Sequence, residues 1–506
     1  MASRRDELNA YTFAKRRLVA SFLQPSPSGT EEGAPRPLQA VVPGLIVGAL
    51  LVAGFGAWGM FKPTAPQGWD DPATKVIVGS ESTTRYVVLE TDKHKMLHPV
   101  LNLASARLLL KTDDFKVVNV DDKVLDDGKI PRGPTLGIPY APDRLPSSGE
   151  AKKAKRWAVC EQQGQGGRDV QKATFVFADR EANEVEGAQR LRGGDVMYVQ
   201  GPGRKLYLVD GAGTKYPLDP NEGILRTVAG SGKPQQVSNE WLATLKTGGS
   251  IHFPTVTGAG TPADIPGALE DDAKRVGMVL QAPESGSGAW HHYVVLKDRV
   301  APISDFMAQL LLASETELGQ HNVAMKVSAG SFTSSGDEFG GDLRWPDKFT
   351  KRVNYTDGTH GGRDTVCNVL RKVDGKNNTT LSTWAGTTYP HKIADETAST
   401  YVTPGSGLLF RQVQGHQTKT GLVFLLTDSG LRYGVQSNSD SGTGKSRIGS
   451  DGKKSSAKTQ EQEVLQTQKR LGYEGVTPVP VPAAWSQFLS TGPRLDVNSA
   501  SQPQGS

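Results

Sequence analysis

The chain lacks a strong excess of charge of one sign. Its 58 lysine and arginine residues nearly balance its 53 aspartate and glutamate residues, which leaves a formal net charge of +5 over 506 residues. Proteins that bind nucleic acids concentrate basic residues in a patch or stripe, and this sequence has no such concentration. The composition therefore argues against a nucleic-acid partner.

The sequence also lacks a complete phosphate-binding loop. Such a loop needs G-x-x-x-x-G-K-[ST] between a strand and a helix, because backbone N–H groups and the helix N-terminus surround the phosphates. The nearest match, Ser439–Ser446, has Lys445 in place but a serine where the first glycine belongs, and no apolar helix follows. In Gly230–Pro234 a proline stands where the helix should begin. We predict no nucleotide site.

Metal and catalytic patterns are missing as well. His94 and His98 are four residues apart, but a proline follows and the stretch is typical of a strand and turn rather than a metal-binding helix. His291 and His292 are adjacent, so they face opposite sides of a strand. The turn Thr427–Gly430 resembles that of a serine hydrolase, without a recognisable Asp/His pair around it. The sequence therefore predicts no catalytic residue, no metal site and no cofactor.

Long hydrophobic runs are scarce, and the chain is organised around the one that is present. It extends without a charge from Ala40 to Phe61, and as a helix it would span roughly 33 Å. The hydrocarbon core of a bilayer is about 30 Å thick. Pro43 is expected in the first turn, where its missing N–H is tolerated. We predict a single transmembrane helix over residues 40–61, with a buried core helix as the alternative.

Basic residues lie mainly on the N-terminal side of this helix. Those that precede it are Arg4, Arg5, Lys15, Arg16, Arg17 and Arg36, whereas Lys62 is followed by no further basic residue until Lys75. The region before the helix is too long for a cleaved signal peptide. Because positive flanks stay in the cytoplasm, we predict a single-pass protein of the cell membrane, with residues 1–39 inside and the bulk of the chain outside.

The N-terminal region has two features typical of contact surfaces. Residues 3–24 are predicted to form an amphipathic helix, which would dock on anionic lipid or on a protein partner. Its apolar contact positions are Leu8, Tyr11, Leu18 and Phe22. In the transmembrane segment, small residues four apart would let a second helix approach closely. They are Gly44 and Gly48, together with Ala49 and Ala53.

Cysteine is the scarcest residue, with only Cys160 and Cys367 in the chain. Both fall in the region predicted to lie outside the membrane. In an oxidising compartment such a pair indicates one structural disulfide. Two unrelated buried thiols are the alternative.

The outer region contains a hidden internal repeat. The tetrapeptide YVVL at Tyr86–Leu89 recurs at Tyr293–Leu296, and the same offset of 207 residues separates the two cysteines. Two matched landmarks predict that residues of about 76–255 and 280–490 are two copies of one architecture. A disulfide would then join equivalent positions across a pseudo-two-fold axis.

Each half is predicted to contain two hairpin–helix units and a β insert that holds its cysteine. The 58 glycines and 31 prolines favour many short strands. The predicted fold class is α+β, mostly β, with four hairpin–helix units around a central β domain. The predicted segments are the cytoplasmic helix and linker 1–39, transmembrane helix 40–61, unit one 76–111, the first central segment 112–197, unit two 198–256, unit three 276–316, the second central segment 317–408, unit four 409–493 with a disordered insertion at 434–463, and a disordered tail 494–506.

The motif HPVLNLASARLLL at His98–Leu110, behind an uncleaved anchor and a short basic N-terminus, resembles the EccB family of type VII (ESX) secretion systems. The similarity covers nearly the whole chain. The resemblance implies four repeat domains around a central domain closed by a disulfide. It also implies a core membrane component beside EccC-, EccD- and EccE-like subunits and further EccB copies. ATP hydrolysis has been attributed to the family, although the sequence has no complete phosphate-binding loop.

We therefore predict a membrane-anchored structural subunit of a type VII secretion complex, which links cytoplasmic motor contacts to an extracytoplasmic scaffold. Membrane lipid is the other expected partner. One alternative is an ATP-hydrolysing component. Another is a cell-wall-binding membrane protein whose hairpins expose aromatic shelves. Aromatic residues at equivalent positions of the units are expected to face the core, which favours packing over glycan binding; they are Tyr86, Tyr207, Trp241, Tyr293 and Trp485.

Overall fold

A computed structural model describes residues 3–23, 37–61, 65–91, 93–111, 115–164, 170–284, 288–314, 318–355, 362–393, 398–437, 446, 448 and 460–504. The chain divides into two compact parts. The anchor part comprises residues 1–67 with 120–127, and the outer part comprises residues 68–119 and 128–506. Each is described by itself.

The helices are α1 (Arg4–Leu23), α2 (Pro37–Phe61), α3 (Leu103–Leu109), α4 (Asp122–Leu125), α5 (Ser148–Ala151), α6 (Glu222–Ala229), α7 (Asn239–Ala243), α8 (Asp305–Ala313), α9 (Gln460–Arg470), α10 (Ala483–Ser486) and α11 (Val497–Ala500). The strands are β1 (Lys75–Gly79), β2 (Arg85–Thr91), β3 (His94–Pro99), β4 (Lys116–Val120), β5 (Arg156–Gln162), β6 (Gln171–Phe177), β7 (Asp195–Gln200), β8 (Leu206–Asp210), β9 (Thr214–Pro217), β10 (Gln235–Gln236), β11 (Lys246–Thr247), β12 (Val279–Pro283), β13 (Trp290–Val295), β14 (Val300–Ile303), β15 (Met325–Lys326), β16 (Lys351–Arg352), β17 (Thr365–Val373), β18 (Thr379–Gly386), β19 (Ala398–Val402), β20 (Leu408–Val413), β21 (Val423–Leu426), β22 (Leu431–Val435), β23 (Val479–Pro482) and β24 (Ser490–Thr491).

The anchor part contains the two long helices expected from the sequence. At the start of α1, the Ser3 N–H donates to the Asp6 carboxylate at 3.2 Å, and the Ser3 hydroxyl oxygen accepts from the Arg5 N–H at 3.2 Å. This reciprocal arrangement satisfies N–H groups that have no partner inside the helix. In α2, residues Val41–Gly59 have a mean hydropathy of 2.0 and a length sufficient to cross a bilayer.

The position of Pro43 differs from the prediction. Helix α2 begins earlier than expected, at Pro37, so Pro43 lies in its second turn rather than its first. Pro37 is suited to the first helical position because its ring fixes φ near the helical value and the N–H it lacks would have no intrahelical partner. Pro43 therefore removes one internal hydrogen bond from the helix.

In the described part of the chain the strands form five sheets. The first has the order β3-β2-β1-β4, the third β14-β13-β12-β15 and the fourth β23-β20-β21-β22-β24. The second has the order β10-β7-β8-β9-β11, with β16 beside β7. The central sheet has the order β18-β17-β5-β6-β19. The result is a mixed α+β fold composed mostly of sheets, as predicted.

The central sheet is built from strands of both halves of the chain. Strands β5 and β17 pair antiparallel, with Cys160 directly opposite Cys367. Strand β6 lies outside β5, and β18 lies outside β17. In β17 six consecutive residues from Thr365 are buried, because both faces of the sheet are covered. One face carries Trp157 and packs on Trp241 of α7, and the other carries the two cysteines.

Helix α7 is held against the central sheet at both of its ends. At its N-terminus the Ser238 N–H donates to the buried Glu161 carboxylate at 2.8 Å. At its C-terminus the Asn368 side-chain amide donates to the Thr244 carbonyl at 3.0 Å. Between them, the Trp241 indole N–H donates to the Val159 carbonyl at 3.0 Å. These buried polar groups are satisfied by the strands beneath the helix, which fixes its position.

The C-terminal tail, which the sequence analysis predicted to be disordered over residues 494–506, is ordered over its described residues. It forms α11, and both Leu495 and Ala500 are fully buried. The Gln504 N–H donates to the Thr135 carbonyl at 2.8 Å, so the tail ends on the loop that follows the first sheet. The sequence suggested disorder because the tail is mostly polar. The tail nevertheless contains two buried residues, Leu495 and Ala500, and an N-cap at Asp496. The Asp496 carboxylate accepts from the Ser499 N–H at 2.8 Å.

Other boundaries also differ from the predicted segments. The insertion predicted as disordered at 434–463 begins inside β22 and ends inside α9, and most of its middle lies outside the described residues. Strand β4 falls in the first predicted central segment, yet it pairs with β1, and β7 crosses from that segment into predicted unit two and pairs with β8. Strand β16 falls in the second predicted central segment, yet it pairs with β7. Short strands contain too few residues to show a hydrophobic periodicity, so the sequence does not indicate which sheet they join.

The aromatic residues expected to face the core do so only in part. Tyr86, Trp241 and Trp485 are buried. Tyr207 and Tyr293 are half-buried.

Candidate interaction surfaces

The predicted contact residues of α1 lie on one side of the helix. At about 100° per residue, Leu8, Tyr11, Leu18 and Phe22 fall within one arc, whereas Phe13 points to the other side. All are exposed, and Phe22 is 91% exposed. The helix thus presents an apolar stripe, defined by these four residues and interrupted by Lys15 within the same arc, that nothing in the described anchor part covers.

The small residues of α2 form two stripes rather than one. Gly44 and Gly48 lie on one side of the helix, and Ala49 and Ala53 lie on a side roughly 140° away, since successive residues are rotated by about 100°. A Cβ atom added to either glycine would meet no atom within 4 Å in the described chain. The helix therefore has two separate faces that a neighbouring helix can approach closely.

The two cysteines are joined by a disulfide, as the sequence predicted. Their Cα atoms are 4.0 Å apart, and both side chains are buried in the centre of the sheet. Trp384 and Val369 pack in the same apolar cluster. The bond is therefore shielded from solvent, which fits a structural role rather than thiol chemistry at a surface.

The histidines within the described ranges show no metal-binding arrangement. Among the described residues no group of three or more His, Cys, Asp or Glu side chains is placed to hold a metal ion. His98 is buried on β3, with Nδ1 3.0 Å from the Pro134 carbonyl, and burial lowers the pKa of its ring. His292 Nδ1 lies 2.9 Å from an Asp305 oxygen at the start of α8, while His291 is exposed.

The two segments that partly match a phosphate-binding loop differ in how much of each the structure describes. Most of the segment at 439–446 lies outside the described residues. Ser446 is described, and its N–H donates to the Asn498 side chain at 3.0 Å. In the other match Gly230 ends α6 with φ +69°, and strand β10 follows at Gln235 instead of a helix. The Lys233 carbonyl accepts from the Arg352 guanidinium at 2.6 Å. This segment cannot offer a helix N-terminus to a phosphate.

The turn at Thr427–Gly430 connects β21 to β22, as the hairpin interpretation predicted. Gly430 has φ +81°, which favours glycine. The Thr427 and Ser429 hydroxyl oxygens are 2.8 Å apart, so these hydroxyl groups bond to each other within the turn.

Two features were not predicted from the sequence. One is a polar pocket of about 360 Å³ on the second sheet, lined by Tyr198, Gln200, Lys233 and Gln236 among others. The other is a cluster of arginines around Glu186, beside the central sheet. Their residues come from separate parts of the chain, so no local spacing could have indicated either one.

Comparisons with known proteins agree on one family. A family model described as "Type VII secretion system ESX-1, transport TM domain B" matches residues 1–505. The ESX-2 secretion system ATPase EccB2 of Mycobacterium tuberculosis is 30% identical over 329 residues, which cover 62% of this chain and 60% of EccB2. The ESX-3 secretion system ATPase EccB3 of the same organism is 24% identical, over 97% of this chain and 88% of EccB3.

Solved structures show the same fold. A chain of an intact ESX-5 inner membrane complex superimposes with a TM-score of 0.59 at 21% identity, over 100% of this chain and 96% of that one. The structure of an EccB3 dimer from the ESX-3 core complex gives a TM-score of 0.56 at 21% identity, over 84% of this chain and 99% of that one. With the family model matching nearly every residue, the chain belongs to the EccB family of type VII secretion systems.

Proposed function

We propose that this protein is a membrane-anchored assembly subunit of a type VII (ESX) secretion complex, which links contacts in the cytoplasm to a scaffold outside the membrane. The observation that carries the proposal is the exposed apolar stripe of α1. A stripe of this size on a helix in water is unfavourable unless another surface covers it. Anionic lipid is one such surface, and a helix of another subunit is the other.

The orientation follows from the charges that flank α2. Basic residues precede the helix, and retention of positive flanks in the cytoplasm places residues 1–39 inside. The outer part then lies in the extracytoplasmic compartment. An oxidising compartment outside the membrane is consistent with the buried disulfide.

The two small-residue faces of α2 support contacts with more than one neighbour. We assign these contacts to EccC-, EccD- and EccE-like subunits and to further copies of this chain. The similar fold of a chain in an ESX-5 inner membrane complex and of the EccB3 dimer supports such an assembly. Small residues on both sides let neighbouring helices pack at short distance.

We also propose that the outer part consists of two related halves about a pseudo-two-fold axis, each with two hairpin–helix units. Three observations support this. The sequence landmarks repeat with an offset of 207 residues, which is also the separation of the cysteines. Cys160 lies opposite Cys367 in antiparallel strands. Strands β6 and β18 occupy matching places outside β5 and β17.

The decisive experiment changes the apolar stripe and leaves the outer part intact. Replacing Leu18 and Phe22 together with aspartate should abolish secretion and co-purification of other membrane subunits. The matched control replaces Phe13 and Ala20 with aspartate, because these residues lie on the other side of the same helix. Both variants carry two added charges, so only the position of the charge differs. Loss of co-purification in both variants, or in neither, would refute a specific contact through the stripe.

ATP hydrolysis is the second candidate function, and the names of the similar EccB2 and EccB3 proteins favour it. The segment that most resembles a phosphate loop contains Lys445, which lies outside the described residues. Replacing Lys445 with alanine should leave secretion intact if the protein acts by assembly. Loss of secretion in this variant, together with normal secretion of the Leu18/Phe22 variant, would favour ATP hydrolysis instead.

A further inference from the structure

Three arginines surround a single glutamate beside the central sheet. Arg156 begins β5, and Arg371 lies in β17 where the pairing with β18 shifts register. Glu186 and Arg190 come from the loop that leads from β6 to β7. The Glu186 Oε1 atom accepts from the Arg156 guanidinium at 3.0 Å and from the Arg371 guanidinium at 2.7 Å, and Oε2 accepts from Arg190 at 2.8 Å.

The charges of this cluster do not balance. Three guanidinium groups pair with one carboxylate, and the Asp179 carboxylate adds a smaller electrostatic contribution at Arg156, so the cluster keeps an excess of positive charge. The other acceptors are neutral: Arg156 also donates to the Ala182 carbonyl, and Arg371 donates to the Ser382 hydroxyl. Like charges in a partly buried site repel one another because water screens them poorly.

The pKa values of Arg156 and Glu186 are shifted by burial and by the closely spaced positive charges. Burial, followed by the positive charge of Arg371, lowers the pKa of Arg156. Burial alone would raise the pKa of Glu186, but hydrogen bonds and positive charge from Arg371 and Arg190 lower it overall. The carboxylate is therefore fully ionised near neutral pH and still leaves the cluster positive.

Each arginine also has a donor that the protein does not use. The buried atoms Arg156 Nε, Arg190 Nε and Arg371 Nη2 have no hydrogen-bond acceptor within the described part of the chain. These three atoms are shielded from solvent, but the side chains as a whole remain 27%, 32% and 15% exposed, so a small ligand can reach the exposed part of the cluster. Buried donors without acceptors are unfavourable, and a guanidinium is a planar fork suited to phosphate or carboxylate oxygens.

We propose that this cluster, defined by Arg156, Glu186, Arg190 and Arg371, binds a compact oxyanion of the phosphate class. A phosphate carrying close to two negative charges would offset more of this positive charge than a single carboxylate would. Phosphate also has enough oxygen acceptors for three donors. Free phosphate and the phosphate group of a small monoester share this chemistry.

The test is calorimetric titration of the full-length protein in detergent with inorganic phosphate, at constant ionic strength in chloride. We expect one saturable site. Replacing Arg371 with glutamine should weaken binding about tenfold or more, because it removes a charge and a donor. Replacing Glu186 with glutamine should tighten binding by a similar factor, because it removes the competing negative charge. The matched control is Arg299→Gln, at an exposed arginine that pairs only with Asp298 among the ion pairs described for it.

Further variants keep the test decisive if the Arg371→Gln protein does not fold. Arg190→Gln changes the most exposed member of the cluster, and Arg371→Lys keeps the charge but loses the planar fork. Both should weaken phosphate binding. A parallel titration with glycerol phosphate distinguishes a monoester from free phosphate as the preferred ligand. Absence of saturable binding, equal affinity in all arginine variants, or preference for acetate over phosphate would overturn the proposal.

Discussion

Removal of the disulfide should destabilise the outer part without preventing its folding. The bond between Cys160 and Cys367 closes a loop of 207 residues. In the chain-entropy model, a loop of that length corresponds to about 5 kcal/mol of stabilisation through the unfolded state, and native disulfides typically contribute about 2–5 kcal/mol. Replacing both cysteines with alanine should therefore lower the free energy of unfolding by an amount in this range.

The structure indicates why the fold should survive this change. The two cysteines occupy one paired position in a ladder that continues on both sides, from Thr365 opposite Gln162 to Leu370 opposite Trp157. Alanine keeps the backbone hydrogen bonds, and the neighbouring apolar side chains remain. The loss is thus mainly the covalent constraint, plus a small cavity at the site of the two sulfur atoms.

Urea unfolding of the full-length protein in detergent, followed by tryptophan fluorescence, measures the effect. Reductant should lower the unfolding midpoint of the native protein to slightly above that of the double alanine variant, which also has the small cavity, and it should not affect the variant. A Val369→Ala variant is the matched control, because Val369 packs in the same buried cluster but makes no covalent link. It should lose some stability and keep its sensitivity to reductant.

Two results would refute the reasoning. One is recovery of two free thiols from the denatured, unreduced protein. The other is an unfolding midpoint that neither reductant nor the double substitution changes, since a loop of this length cannot be released without an effect on the unfolded chain.

Further predictions follow from the fold. Burial raises the pKa of Glu161, so its stabilising contribution is complete below the unfolded pKa near 4.5 and is lost as pH rises through the folded value. The free energy of unfolding of the native protein relative to a Glu161→Gln variant should accordingly decrease between pH 4 and pH 8, and a constant difference would contradict this. Arg470 donates to the Leu108 and Leu110 carbonyls at 2.7 and 2.8 Å, and Arg470→Ala should cost about 3 kcal/mol in urea unfolding because buried acceptors lose a charged donor. Deleting residues 495–506 should lower the thermal midpoint, whereas a disordered tail would be removable without effect. Protease added outside spheroplasts should digest the region after α2 and spare residues 1–39, and protection of the large region would reverse the orientation.

The features predicted correctly have strong local or repeated signals. The apolar helix α2 follows from one uninterrupted apolar run, and it is long enough to cross a bilayer. The disulfide follows from having only two cysteines, both in the region predicted to lie outside the membrane, and from an offset that matches a second landmark. The hairpin at Thr427–Gly430 follows from alternating apolar residues around a glycine turn. In each case the signal is either a local pattern or a repeated landmark that can be read directly from the sequence.

The features that were missed depend on partners far away in the chain. Strand β16 has two residues, and it joins the second sheet only because β7 has an open edge there. Glu186 and Arg371 are 185 residues apart, and no spacing rule connects them. The tail has a polar composition typical of disorder, yet two buried side chains and one cap are sufficient to order it.

The ordered tail contributes to the apolar core between the first and fourth sheets. The first and fourth sheets share one apolar core, which includes Leu108, Leu425 and Leu495. Arg107 of α3 donates to the Leu471 carbonyl at 2.6 Å, and Arg470 at the end of α9 donates back to carbonyls at the end of α3. The beginning and the end of the outer part are thus bound to each other, while the disulfide links β5 to β17 in the central sheet. Separation of the first sheet from the fourth therefore requires the loss of these hydrogen bonds and of a shared apolar core.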